Sequence, residues 1–225
     1  MKILYEDGNL LAVDKPAGVL VYWPAHFKNN ERTLLDEVSA KLDYPTKGER
    51  NGVVHRLDRD TSGVILFAKN EKAEATLKKM FKNREMGKYY TALVEGKVEP
   101  KEGMVTIPLG RASKDRLRVV PKASGKPSET LYRVAKYYPD SNVSLLEIEL
   151  KTGRTHQIRV HMKHIGYPLL GDWLYGKNDD DLISRQALHA ASLEFFHPTN
   201  RNQMSFSCCM PEDMQRLEAE VILDT

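Results

Sequence analysis

Strand-type and helix-type segments follow one another in this chain without the regular strand–helix–strand alternation that builds a parallel sheet, and this order is what most constrains the fold. Lys2 to Glu6 and Asn9 to Asp14 read as two short strands joined by the Asp7-Gly8 turn signal, and Lys15-Pro16-Ala17-Gly18 ends the second. Thr33 to Leu42 carries apolar residues at 34, 35, 38 and 42, a helical spacing with Thr33 placed to cap it. Val64 to Lys69 predicts a buried strand, and a second helix follows from about Glu71 to Asn83. Lys88 to Gly96, rich in aromatic and β-branched residues, is the clearest strand. Thr130 to Tyr138 and Val143 to Leu150 pair across the Pro139-Asp140-Ser141-Asn142 turn. The period then changes. Thr155 to Ile165 predicts a helix with Ile158, Met162 and Ile165 on an apolar stripe and His156, Arg159 and Lys163 on a neighbouring polar, basic one. Gln186 to Phe196 predicts a strand ending at His197-Pro198, and Pro211 to Val221 a closing helix with proline at its start. The expected architecture is α+β: a single domain over 1–225 around a mixed, largely antiparallel sheet with flanking helices.

At 225 residues the chain is long enough to bury a full core, and 41% hydrophobic against 29% charged residues is ordinary for a globular protein. The longest apolar runs, such as Val64-Ile65-Leu66-Phe67-Ala68, are strand-sized, which excludes a helical membrane span. Acids and a glycine fall within the first eight residues, so no secretory leader is expected and the reading is cytoplasmic. The only cysteines, Cys208 and Cys209, are adjacent and are expected to stay reduced. No metal is expected: there is no Cys-x-x-Cys pair, His156 and His161 lie five apart, and Asp179-Asp180-Asp181 reads as a solvated loop within the 176–181 stretch. Net charge is only +3, but Arg111, Lys114, Arg116, Arg118, Lys122 and Lys126 stand against Asp115 alone, six positive minus one negative, or +5 in sixteen positions. That segment reads equally as a phosphate-facing patch or as a solvated basic hairpin.

The stretch Val54-His55-Arg56-Leu57-Asp58-Arg59-Asp60-Thr61-Ser62-Gly63-Val64 sets one carboxylate, Asp58, between two arginines just before a turn. Flanking positive charge favours the ionised carboxylate, which suits a nucleophile or base. On spacing alone a charged, hydrogen-bonded turn is the favoured reading. Two further motifs change the weighing: Lys88-Tyr89-Tyr90-Thr91-Ala92, and Gly153-Arg154-Thr155-His156-Gln157-Ile158-Arg159-Val160-His161. With these three in order, flanked by Asp14 to Gly18 upstream and by Gly171-Asp172-Trp173-Leu174-Tyr175-Gly176 and Leu188-His189-Ala190 downstream, the chain resembles the RluA-type pseudouridine synthases from residue 3 to about 211.

The resemblance implies the pseudouridine synthase fold, RNA as partner, and isomerisation of a uridine in ribosomal or transfer RNA to pseudouridine without cofactor or metal. It implies Asp58 as the catalytic aspartate, Tyr90 as the active-site tyrosine and Arg159 as the active-site arginine. Those residue types suit the chemistry. An ionised carboxylate near the sugar can attack ribose carbon 1, add to carbon 6 of the ring, or remove a ribose proton, and Arg159 can hold it as a bidentate partner. Tyr90 offers a ring on which the extracted base stacks. Arg56 resembles the family arginine that fills the space left by the flipped base, with a phosphate contact or surface ion pair as the equal alternative. Lys15 is read as a phosphate contact or a local salt bridge, and Arg154, His156, Arg116 and Arg118 as RNA contacts. His55 and His161 are read with His156 as scaffold or RNA-contacting residues, none of them a general base.

Many members of that family carry a small RNA-binding domain ahead of the core. None is expected here, so target recognition falls to the core and its basic segment, in a chain expected to be monomeric. Tyr22-Trp23 stand where relatives often have a histidine, and packing is the expected role. Two other functions compete: an RNA-binding protein on the same fold without chemistry, against which Asp58, Tyr90 and Arg159 speak together, and a glycosidic hydrolase, which would want a second carboxylate better placed than Asp60.

Overall fold

The computed structural model describes residues 1–23, 31–44, 50–115, 117–176 and 183–223. Its chain divides into two compact units, Met1–Gly87 with Ala190–Cys209, and Lys88–His189 with Met210–Thr225. In chain order the first elements are β1 (Lys2–Glu6), β2 (Leu10–Lys15), α1 (Leu34–Val38), β3 (Ser62–Ala68), α2 (Glu71–Lys82) and β4 (Gly87–Glu95). Then come β5 (Glu102–Val105), β6 (Leu109–Arg111), β7 (Val119–Pro121), β8 (Thr130–Tyr138) and β9 (Val143–Leu150). The chain closes with α3 (Gln157–His164), β10 (Leu188–Phe196), β11 (Gln203–Ser207) and α4 (Glu212–Leu223).

In the first unit β1, β2, β3 and β10 lie side by side, with β11 paired antiparallel to β10. The β2–β3 register sets Leu10 opposite Ala68 and Lys15 opposite Gly63, which brings Lys15 to the point where the Asp58 loop enters the sheet. All seven residues of β3 are buried, as its unbroken apolar run requires. Gly63 has φ +119, and a Cβ there would stand 2.2 Å from the Ala190 carbonyl oxygen, so only glycine fits. Helix α2 begins where the Asn70 side chain accepts from Ala73 N at 3.0 Å, with Glu71 and Glu74 in its first turn and Lys79 and Lys82 in its last, both favourable to the helix dipole. Its Ala73, Leu77 and Met80 recur at helical spacing and pack against Leu10, Ala12, Val64 and Leu66. Each such buried Leu or Met contributes about 2 kcal/mol by removal from water.

In the second unit β4, β9, β8 and β5 form an antiparallel run, and β6 and β7 form a separate two-stranded ribbon. Ala92, Val94, Leu146 and Ile148 cover Ile158 and Met162 of α3. Met214 and Leu217 of α4 are fully buried against Leu93, Tyr138 and Leu170. Leu109 and Val119 of the ribbon pack on Val160, Leu174 and Tyr175. The α+β class and the predominance of antiparallel pairing agree with the sequence expectation, and no helix among the described residues is long and apolar enough to cross a membrane.

Three differences have local causes. The expected 33–42 helix carries the Thr33 capping box but is α-helical only to Val38, then tightens into a 3-10 turn at Ser39–Lys41. The expected 155–165 helix starts at Gln157, because His156 has φ +54, left-handed backbone that cannot continue a right-handed helix. Strands β5, β6, β7 and β11 are three to five residues long, too short to show a period. The 176–181 stretch lies outside the described residues beyond Gly176.

Candidate active site

Asp58 sits half-buried in the loop between the Val53 bridge and β3, in the first unit. Its carbonyl closes a turn by accepting from Thr61 N at 3.2 Å, and Thr61 and Ser62 are buried behind it. Lys15 anchors the loop from below. It is fully buried, and its Nζ donates to the carbonyls of Pro16 (2.8 Å), Val19 (2.8 Å) and Arg59 (2.7 Å). The expectation that Lys15 contacts phosphate is therefore corrected: its three protons are spent on carbonyls, and the ammonium is out of reach of a ligand. Arg59 extends the brace, donating from Nε to Gly18 O at 2.9 Å and pairing with Glu31.

His55 is a scaffold residue. Its Nε2 accepts from Leu66 N at 2.9 Å, which puts the ring proton on Nδ1, and the ring stacks on Phe81 at 4.6 Å. Arg56, by contrast, is exposed beside Tyr22: its guanidinium carbon lies 5.4 Å from that ring's centroid, and Arg50 stands over the same ring at 4.6 Å. Two cations over one tyrosine form a surface on which a base or phosphate can be held. Tyr22 is thus packed against two guanidinium groups.

Tyr90 and Arg159 belong to the second unit. Tyr90 lies on β4 opposite Ile148 of β9 and packs, partly buried, on the cluster that contains Ile158. Arg159 is 4% exposed. The sequence placed it on a polar, basic stripe of α3; it lies in the interior, with its Nε and Nη2 each 2.7 Å from an oxygen of Asp172. This edge of the guanidinium is held by Asp172. Asp172 is itself fully buried, and its Oδ1 also accepts from Leu174 N and Tyr175 N at 3.1 Å each. Four donors on two oxygens supply the hydrogen bonds that a buried ion pair needs to offset its desolvation.

The turn carrying Asp172 is equally constrained. Gly171 has φ +65, and a Cβ there would stand 2.1 Å from the Arg185 carbonyl oxygen. Arg185 is in turn paired with Asp213 of α4 at 2.6 and 2.9 Å. Tyr175 completes the setting: the guanidinium carbon of Arg159 lies 5.1 Å from its ring centroid, Val119 N donates to its hydroxyl at 2.8 Å, and His156 Nδ1 lies 2.9 Å from the same oxygen. His156, read as an RNA contact, is thereby tied to Tyr175 at one nitrogen. Asp172 and Tyr175 were seen in the sequence only as part of a flanking resemblance. The available signal was an aspartate set two and three residues before backbone donors in an apolar run, the pattern of an Asx turn.

Arg154 is half-buried and donates from Nε to Pro127 O at 3.1 Å, facing the ribbon. Arg118 is exposed at the ribbon tip, 3.4 Å from the Asp115 carboxylate, and Arg116 lies outside the described residues. Buried His161 links α3 to the start of β8 through Thr130 Oγ1 and to Ser128 Oγ just before it, at 2.9 Å each, and burial holds its pKa below the ordinary value. It is scaffold. Burial also pushes the Cys208 thiol up to about 12, so it is inert. Among the described residues no group of three or more His, Cys, Asp or Glu is arranged to hold a metal.

Comparison with known proteins places the chain in a family. The chain is 40% identical over 96% of its length to a protein of Nitrosomonas europaea named ribosomal large subunit pseudouridine synthase D, and spans 64% of that relative. It is 39% identical over 96% of its length to an uncharacterized RNA pseudouridine synthase of Bacillus subtilis, of which it spans 71%. A solved structure of human RNA pseudouridylate synthase domain containing 1 superposes with a TM-score of 0.73 at 26% identity, over 98% of this chain and 94% of that one. The family described as RNA pseudouridylate synthase matches residues 9–164, the span that holds the Asp58 turn, Tyr90 and Arg159, and the chain belongs to that family.

Proposed function

We propose that this chain is an RNA pseudouridine synthase that converts a specific uridine of ribosomal or transfer RNA to pseudouridine, with Asp58 as the catalytic carboxylate and Tyr90 and Arg159 as its active-site partners. One observation carries the reading: the charged residue of each outer motif stands in a setting held by a buried ionic group. Lys15 pins the Asp58 loop through the Arg59 carbonyl, and Asp172 clamps Arg159 through two donors. Buried charge is costly, so its use to hold two short charged segments supports a demand for fixed geometry.

In the proposed reaction the bond between ribose carbon 1 and uracil N1 breaks, the base turns, and carbon 5 bonds to the same ribose carbon. N1 gains a proton, carbon 5 loses its own, and no net oxidation or hydrolysis occurs. Asp58 assists detachment by one of the three routes its chemistry allows. The uridine must first leave its stack, which costs a few kcal/mol, least in a loop or bulge. Arg56 fills the vacated space, Tyr90 stacks on the base, and Arg154, His156, Arg116 and Arg118 contact the RNA. The names of the relatives favour large-subunit ribosomal RNA over transfer RNA as substrate, and cytoplasmic residence accords with either.

The experiment is release of tritium from RNA labelled at uracil carbon 5, with large-subunit ribosomal RNA and transfer RNA as separate substrates. The native chain should release tritium, and Asp58→Asn should bind the RNA and release none. Release by Asp58→Asn at the native rate would remove Asp58 from the chemistry.

A further inference from the structure

A groove of about 510 Å³ opens in the second unit between the β6–β7 ribbon, the 122–126 turn and the Gly153–Thr155 lead-in to α3. Four cationic side chains line it, Arg111, Lys122, Lys126 and Arg154, and no carboxylate does among the described lining residues. Its form is fixed by backbone. Leu109 and Lys126 exchange hydrogen bonds at 2.9 and 2.8 Å, Lys122 N donates to Pro108 O at 2.9 Å, and Gly125 N to Lys122 O at 2.7 Å. At Gly125 a Cβ would stand 2.5 Å from the Leu109 carbonyl, so the turn lies flat on the ribbon. Arg154 is drawn to the opposite wall by its bond to Pro127 O. Gly153 is different: a Cβ there meets nothing within 4 Å, so the absence of a side chain leaves the floor open without any packing need for it.

Four cationic side chains on one rigid concavity, with no carboxylate in the described lining, set up a local field that favours an anionic ligand. The volume falls in the range of about 300–1,000 Å³ that holds ligands of drug size, so the groove takes one or two nucleotides of a single strand and not a duplex. We propose that this groove binds the phosphodiester backbone of the RNA strand flanking the target uridine, with these four side chains together neutralising the phosphates of the one or two nucleotides it holds. The assignment rests on RNA being the substrate, and it locates the phosphate contacts in the groove and not only at the ribbon tip.

The test uses the full chain and a fluorescein-labelled, unstructured RNA, with binding read by anisotropy over a range of salt concentrations. In Lys122→Ala with Lys126→Ala, the slope of log affinity on log salt should fall in magnitude by about 1.4, at about 0.7 for each single-strand phosphate contact. Gly153→Asp, which introduces a carboxylate without steric conflict, should weaken binding at least tenfold, while Gly153→Ala should not. Lys79→Ala with Lys82→Ala removes the same charge from α2 and should leave the slope at its native value; circular dichroism checks that each variant is folded. A slope in the groove variant equal to that in the α2 control overturns the proposal. Loss of binding to inorganic tripolyphosphate with native RNA affinity and slope also overturns it, in favour of a free polyphosphate site. Because the readout is binding, failure of the native chain to release tritium would refute the isomerase reading and leave this result standing.

Discussion

Replacing Asp172 by asparagine should destabilise the second unit and cut the isomerase rate through Arg159. In the native chain Oδ1 accepts from Arg159 Nη2 (2.7 Å), Leu174 N and Tyr175 N, and Oδ2 from Arg159 Nε (2.7 Å). Asparagine can keep its oxygen at the Oδ1 position and preserve three of these bonds. Its amide nitrogen then faces the Nε–H of Arg159, donor against donor, and the guanidinium loses the negative charge of Asp172 while 4% exposed. Breaking a buried pair from one side costs about 3–5 kcal/mol. In a chain of this length that lowers the melting temperature by roughly 10 °C, at about 2–4 °C per kcal/mol. Urea unfolding measures the loss and tritium release measures the rate, which should fall further than substrate affinity because Arg159 is misaimed, not removed. A destabilisation below about 1 kcal/mol together with a native rate would refute the reasoning, since a clamp that can be cut without effect positions nothing.

Lys15→Met should loosen the Asp58 loop. It orphans three carbonyl acceptors, each worth about 1–3 kcal/mol if it stays dry, so hydrogen exchange at Thr61 N should speed up and tritium release should drop; unaltered exchange would show that the loop holds itself. The His161 shift makes a pH prediction. Burial keeps the folded ring neutral against a raising contact from the Ile107 carbonyl, while the unfolded ring takes a proton below about pH 6.5. Its stabilisation is therefore full above pH 6.5 and declines as pH falls, at no more than about 1.4 kcal/mol per unit. Asp7, Glu74 and Asp213 are held below the ordinary carboxylate range, because their hydrogen bonds outweigh the opposing effect of burial, so they lose stabilisation only at more acidic pH. Urea midpoints between pH 7 and 5.5 should fall for the native chain and less so for His161→Gln; parallel curves would clear His161.

Much of the fold was legible because it rests on local periodicity. The helix expected from about Glu71 to Asn83 runs over Glu71–Lys82, and β4 showed its aromatic and β-branched content in a single window of sequence. The Asp58 turn was legible as a charged turn and gained meaning beside the other two motifs. What escaped depended on partners distant in sequence. Arg159 read as the active-site arginine from its motif and as part of a polar, basic stripe from helical spacing, and nothing within one turn of it reveals that Asp172, thirteen residues on, enters the interior to meet it. Lys15 read as a phosphate contact or a local salt bridge because a lysine is rarely buried, and only the register that sets it opposite Gly63 explains why this one is. The ribbon read as a charged loop, since its strands are three residues long and are held by Tyr175 and Lys126.

Residue order alone determined the class of fold, the position of the principal helices and strands, and the family, because propensities, turn chemistry and motif spacing act over a few neighbouring residues. Tertiary structure decided which charges are anchors and which are tools. Lys15 and Asp172 are fully buried and serve the backbone and Arg159, whereas Arg56, Lys122 and Lys126 remain exposed to a ligand. Burial sets the energetic meaning of a charge, and burial is a property of packing between distant segments, which no local pattern of residues encodes.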